Sequence, residues 1–535
     1  MKNNFFSICF SLAILLSLIN CAKRSTPTGG EKDITPPVMV SASPEPYSTN
    51  FDEEEVKITF DEYIKLKDIQ KQLIVSPPLK YPPIITPQGT ASKFIKIKIQ
   101  DTLKENTTYV FNFGQSITDN NEGNPYSYFN YVFSTGDYID SLKVNGFITD
   151  AKLKEPDNFV SIMLYEVDST YSDSTVYKNP PTYITNTLDS LTTFQLTNLK
   201  AGEYAIFAMK DEANNYVFNQ KTDKIAFISD YITVPTDSVF KLNLFKEIPD
   251  YRAARPSEAT TNRILFGYEG KPDSIKIDLL SDTPEDYDYR ITKDLEKDTL
   301  NYWFTPFEAD SLIFTVSHKK QIDTFTVKRR KAESDSLLLQ STISGNLGYF
   351  KPFGIQANTP LESIDSTFIS IIDKDSLKIA FDYSIDKELN QVNLNWKIEP
   401  SQRYIITALP GAIEDFYGNT NDTLNYNTST KSLADLGSIR VTVRNVKEFP
   451  IVVQLTDQKG EVKFEKYAET EQSLFEFMNI DPGTYFIRVI HDANGNGIWD
   501  TGNYLKKVQP EKISYFPGEI ELRSNWELEQ EFILD

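Results

Sequence analysis

About thirty residues before its end the chain reads HDANGNGIWDTGN, His491 to Asn503. Oxygen-bearing side chains alternate there: Asp492, Asn494 and Asn496, then Gly497, then Asp500 and Asn503. Hard cations take several oxygen ligands, and a short loop with Asp or Asn at every second position and Gly at the sixth supplies them. With Asp492 as position one, positions three, five and nine are Asn494, Asn496 and Asp500. Position seven, Ile498, would offer its carbonyl. Position twelve is Asn503 in place of a bidentate Glu, and the flanks YFIRVI and YLKKV read as strands. Two readings follow: a calcium loop between strands, or an Asx-rich turn that only shapes the backbone. Calcium is the one cofactor the sequence suggests, and none is required. Both readings are structural, and neither points to catalysis.

Other chemistry is sparse. The chain carries no Gly-x-Ser-x-Gly elbow, His-Glu-x-x-His pair, P-loop or dinucleotide-binding glycine motif. It has two histidines, so a Ser-His-Asp triad would need His318 or His491. His318, in TVSHKKQ, reads as a solvated histidine at a strand end. With 76 acidic residues, carboxylate pairs arise by chance and single out no glycosidase centre. No enzyme is expected. The formal charge of −21 argues against nucleic acid and anionic surfaces as partners. Aromatic runs such as NPYSYFNYVF (124–133) and NYWFTPF (301–307) could make a sugar platform, but their period of two favours a core face.

The elements that position these residues are strands. Val56, Ile58 and Phe60 alternate with polar residues, as do Ile95, Ile97 and Ile99, and Ile439, Val441 and Val443. That is the half-buried strand pattern, with turn residues every eight to twelve positions. The predicted fold is all-β, with β-sandwiches in series. Internal repeats order them. FQLTNLKAGEYAIFAMKDEANN from Phe194 matches FEFMNIDPGTYFIRVIHDANGN from Phe475 at a constant offset, pairing Asn198 with Asn479, Gly202 with Gly483 and Asp211 with Asp492. The turn in this repeat reads as one that needs its glycine. A weaker pair starts at Tyr109 and Tyr404. The order is A (34–137), B (138–246), C (247–331), A′ (332–432) and B′ (433–535). The B counterpart of the Asp/Asn loop, DEANNYVFN, lacks most of the oxygen ligands, so it is expected to be built but metal-free.

The N-terminus has a basic start, an apolar stretch from Phe5 to Ile19, and Cys21. Residues 1–20 resemble a bacterial lipoprotein signal peptide, with Cys21 as the lipidated residue and 21–33 as a flexible tether. The only other cysteine, Cys9, lies in the signal, so a lipidated chain keeps no thiol. Segment A resembles the SbsA-type bacterial Ig-like domain through TPPVMVSASPEP, VKITFDEYI and the closing YVFSTG. B and B′ resemble transthyretin-like sandwiches of the carboxypeptidase-regulatory type through LKAGEY and IDPGTY. With PTGGEKD after the cysteine, the whole resembles Ig-like lipoproteins of Bacteroidota. That resemblance implies anchoring in the outer membrane, on a face the sequence leaves open. A recurring Asp-Ser/Thr-aliphatic triplet resembles the O-glycosylation sequon of the same group, at Thr102, Ser141, Ser190, Ser274, Thr299, Ser311, Ser376 and Thr423. Turn chemistry is the competing reading for each. The expected function is a non-enzymatic scaffold or accessory subunit beside an envelope protein such as an outer-membrane β-barrel. The alternative is surface glycan binding.

Overall fold

The alternation becomes paired strands in the computed structural model, which describes residues 32–188, 191–330, 333–343 and 345–535. Cys21, the signal peptide and Ser190 lie outside the described residues. Among these residues no helix is long and apolar enough to cross a membrane. The chain divides into two units: residues 1–143 with 182–188 and 196–201, and residues 144–181, 189–195 and 202–535.

In the first unit, one sheet runs Met39–Ser43, Glu55–Leu66, Ser92–Lys98, Ile84–Thr86. The facing sheet holds Ile74–Ser76, Thr108–Asn112 and Asn130–Ser134. The predicted alternation packs the core: Val56, Ile58 and Phe60 meet Ile95, Ile97 and Ile99 around Phe133, whose ring stacks on Phe51 at 3.9 Å. The second half of the 124–133 run is core. Phe129, Tyr131 and Phe133 are buried, and of the run's aromatic residues only Tyr128 is well exposed.

The second unit holds the other sandwiches. C has one sheet around Arg263–Glu269 and Thr299–Phe304, and a second of Ile275–Leu279, Ser311–His318 and Gln321–Lys328. Tyr302, Trp303 and Phe304 are buried in it, so this run also serves packing. His318 is not a solvated turn residue. It is 8% exposed, stacks on Tyr251 at 4.1 Å, and its Nε2 meets no hydrogen-bond partner among the described residues. Leu312, Phe314 and Val316 form the buried face of its strand, and His318 continues that alternation.

A′ repeats A down to its hydrogen bonds. Tyr109 Oη accepts from Lys104 N–H at 2.9 Å, and Tyr404 Oη accepts from Glu399 N–H at 2.8 Å. Thr135 Oγ1 accepts from Thr107 N–H, and Thr430 Oγ1 accepts from Gln402 N–H. Every one of these positions differs by 295, so the weaker sequence repeat is a true structural one.

B and B′ share a topology. In each the last strand returns parallel to the first: Val239–Leu244 along Leu142–Asp150, and Glu527–Ile533 along Gly437–Arg444. The turn of the repeat works differently from the sequence reading. The left-handed positions are Asn198 (φ 59°) and Asn479 (φ 53°), since Asn tolerates that conformation. Gly202 and Gly483 start the next strands, where an added Cβ would sit 3.5 and 3.9 Å from the rings of Tyr204 and Tyr485. B′ has a further property. Ile451, Val453 and Leu455 face its own core, yet the alternate residues Val452, Gln454 and Thr456 are also buried, as are Arg488 and Ile490 on the neighbouring strand. Both faces of that sheet are covered.

Candidate functional site

The Asp/Asn loop leaves the strand Gly483–His491 and is built on Asp492, which is 2% exposed. One carboxylate oxygen accepts from Gly495 N–H (2.8 Å) and Asn496 N–H (3.2 Å), and the other from Gly497 N–H (2.7 Å). Gly495 and Gly497 hold positive φ of 74° and 77°. Asn494 and Asn496 both donate their side-chain amides to one oxygen of Asp500, at 2.5 and 2.6 Å. Lys271 reaches the other oxygen at 3.2 Å. Burial pushes the Asp500 carboxyl up, but the bonds from Asn494, Asn496 and Lys271 outweigh it and hold it below the usual carboxylate range. Asn494, Asn496 and Asp500 thus converge, while the Asp492 carboxylate is turned to the amides of its own loop. Among the described residues no group of three His, Cys, Asp or Glu has metal-binding spacing, so any cation here would rest on the amides as well.

The loop of B has the same backbone without the same side chains. Asp211 accepts from Ala213 and Tyr216 N–H, at 3.0 and 2.7 Å. Asn214 and Tyr216 take positive φ where B′ has its two glycines. A capping carboxylate therefore specifies this turn, and the Asn alternation is an addition peculiar to B′. The sequence reading missed a second carboxylate. Glu511 accepts from Ala493 N–H at 2.8 Å and Asp500 N–H at 2.9 Å, which closes the base of the loop. In B, Asp223 does the same for Glu212 and Asn219. Asp211 and Asp492 differ by 281, and Asp223 and Glu511 by 288, so B′ carries seven additional residues. The strands that follow keep the offset of 288: Ile225 pairs with Met209, and Ile513 with Ile490. Carrying the repeat past the loop would have exposed both the insertion and Glu511.

The insertion is a hairpin. Asn503 and Val508 exchange backbone hydrogen bonds at 2.8 and 2.9 Å, and the Asn503 side chain accepts from Lys506 N–H. This corrects one expected ligand: Asn503 belongs to the hairpin turn, and its oxygen is used there. Ile498 is largely exposed, and its N–H donates to the Asn496 side chain.

The hairpin enters the B sandwich. Tyr504 is 2% exposed, with Phe207, Phe227 and Tyr177 at 5.1, 5.2 and 6.3 Å from its ring. Its hydroxyl donates to Asp173 (3.1 Å) and lies 3.4 Å from that of Tyr171. Its N–H donates to the Glu247 carboxylate, which also accepts from Gln220. Lys507 stands 4.0 Å over the Tyr504 ring and pairs with Asp173 at 2.7 Å. Thr501 donates to the Lys246 carbonyl and Gln509 to that of Phe227. A Cβ on Gly502 would fall 2.8 Å from the Phe245 ring, so only glycine passes there. On the other side, Arg488 reaches Gln454 and the Lys152 carbonyl, and Lys152 lies over Trp499. Burial lowers the Arg488 guanidinium from its ordinary value. The insertion thus fastens the last sandwich to the second.

The remaining candidate residues are scattered. Thr102, Ser141, Ser274, Ser376 and Thr423 are exposed, while Thr299 and Ser311 are half-buried at strand starts. At Ser141 the preceding Asp140 is spent on structure, since its carboxylate accepts from Thr108 Oγ1 at 2.8 Å.

Comparison with known proteins places part of this architecture. A family model described as a bacterial Ig-like domain matches residues 33–135. No curated protein matches the chain. Among solved structures, titin domains A168–A170 are 8% identical at a TM-score of 0.14, covering 45% of this chain and 91% of theirs. Domains 1–6 of the surface layer protein SbsC are 12% identical at 0.15, covering 92% and 68%. The insect immune protein hemolin is 10% identical at 0.19, covering 74% and 96%. The class is an all-β protein built of successive paired sheets. Its first sandwich is similar to a bacterial Ig-like domain, on the segment whose motifs suggested one.

Proposed function

We propose that this chain is a non-enzymatic, lipid-anchored scaffold of the outer membrane, of the Bacteroidota lipoprotein type, with B and B′ as transthyretin-like modules. It would serve as accessory subunit to another envelope protein, an outer-membrane β-barrel being the expected partner. One observation carries the reading. The residues richest in chemistry, from Asp492 to Glu511, are used to shape a loop and fasten B′ to B. Fastened modules hold their outer loops and sheet edges in fixed relation, which suits presentation to a partner. Lipidation at Cys21 would confine the chain to a surface and raise its effective concentration there. The interior placement of the aromatic runs favours this reading over glycan binding.

Within this reading Asp492, Asn494, Asn496 and Asp500 are a structural calcium site, supported by the convergence of Asn494 and Asn496 on Asp500 beside the capping Asp492 of the same loop. The function is tested by purifying tagged protein in mild detergent and identifying what accompanies it by mass spectrometry. One barrel protein in near-stoichiometric amount is the expected result. Recovery of the protein alone, under conditions that keep other envelope complexes intact, would overturn the scaffold reading.

A further inference from the structure

The clasp between B′ and B contains an unusual carboxylate. Glu247 is 2% exposed, and the donors to its oxygens are neutral: the Tyr504 amide and the Gln220 side chain. Lys507, the hairpin cation that stands over the Tyr504 ring, is paired with Asp173 instead. The other charged and titratable groups about it are Asp250 and Lys506, 4.0 Å apart and both open to solvent, Lys246 beside it in the chain, and Tyr177. A buried carboxylate without a cation opposes its own burial. Here the same residue also holds the hairpin's backbone.

We propose that the clasp is gated by protonation of Glu247, so that B′ grips B most firmly in acid and loosens as the pH rises toward neutral. Burial pushes the docked carboxyl above its ordinary 4.5, against the hydrogen bonds of Tyr504 and Gln220, which favour the charge. Without the hairpin over it, the group titrates nearer that ordinary value. The docked state therefore retains the proton to higher pH. Docking strength is full below about 4.5 and is lost as pH rises through the docked value, by at most tenfold per pH unit. Asp173 acts with the opposite sign in a different window. The Lys507 bond holds its carboxyl below 3.8, so its contribution is present above that value and lost in stronger acid. The Tyr504 hydroxyl is raised by burial and titrates far above both windows. The two carboxylates are thus separable by pH.

The test is hydrogen exchange of the Tyr504 and Val508 amides in the mature chain, residues 21–535, from pH 4 to 8. Rates are expressed as protection against the intrinsic rate at each pH. Wild-type protection is expected to fall across the window above 4.5, and in Glu247→Gln that slope should vanish. Asp173→Asn should leave the slope intact. A wild-type profile flat from pH 4.5 to 8 overturns the proposal without reference to any variant. A slope that survives Glu247→Gln overturns it as well.

Discussion

Replacing Tyr504 with Ala is the most direct probe of how the sandwiches are joined. The ring is 2% exposed among Phe207, Phe227 and Tyr177, and alanine would leave a hole in a pocket formed by two modules. Truncating a buried aromatic typically costs about 3–5 kcal/mol. Here the cost falls on docking, because the ring's partners lie in B and in the hairpin itself. At about 1.4 kcal/mol per decade, protection of the Asn503, Tyr504 and Val508 amides should drop by roughly two to three and a half orders of magnitude. Amides of the strand Gly483–His491, inside the B′ core, should keep theirs, which separates undocking from unfolding. Tyr504→Phe keeps the ring and loses only the bonds to Asp173 and Tyr171, so a loss of about 0.5–1.5 kcal/mol, roughly two- to twelvefold, is expected. The reasoning is refuted if Tyr504→Ala changes hairpin protection by less than tenfold, or if core and hairpin lose protection together.

Other outcomes follow from the same geometry. Gly502→Ala should undock B′ by forcing a methyl against Phe245, and size-resolved proteolysis of the C and A′ region should detect it. Millimolar calcium should raise the unfolding midpoint of the full chain, and Asp500→Ala should abolish the rise; no shift in the wild type would leave only the turn interpretation. Asp492→Ala should destabilise B′ with or without calcium, by about 1–3 kcal/mol for each amide left unsatisfied. Cys21→Ser should free the protein from the membrane pellet after a carbonate wash. Glycan mass on purified protein should map to Thr102, Ser141, Ser274, Ser376 or Thr423 before the half-buried Thr299 and Ser311.

The sandwiches were legible because alternation is a local signal. Ile95, Ile97 and Ile99 announce one buried face, and the structure buries that face. The capping role of Asp492 was half legible. Its spacing suggested oxygen ligands, but which oxygens turn to a cation and which to backbone amides depends on φ at Gly495 and Gly497, and the pattern alone does not specify it. Glu511 was out of view because its place in the repeat appears only once seven residues are allowed for. Docking was the least legible feature. Tyr504 is one of 29 tyrosines, and its partners lie more than 250 residues away in the chain.

A signal for docking was nevertheless present, in runs where alternation fails. Ile451–Thr456 reads IVVQLT and Ser161–Glu166 reads SIMLYE, both nearly continuous in apolar character, the first buried throughout and the second up to Tyr165. A strand at the surface of an isolated sandwich needs only one apolar face, so an uninterrupted run implies cover on both sides. The repeat then identifies part of that cover. Where B and B′ agree, as at Asp211 and Asp492 or Asn198 and Asn479, the residues maintain a shared fold. Where they differ, by seven residues that hold Tyr504 and Lys507, the added segment makes the contact that one sandwich alone does not need. Reading a duplicated module for what its second copy has gained is therefore a way to locate an interface before any partner is known.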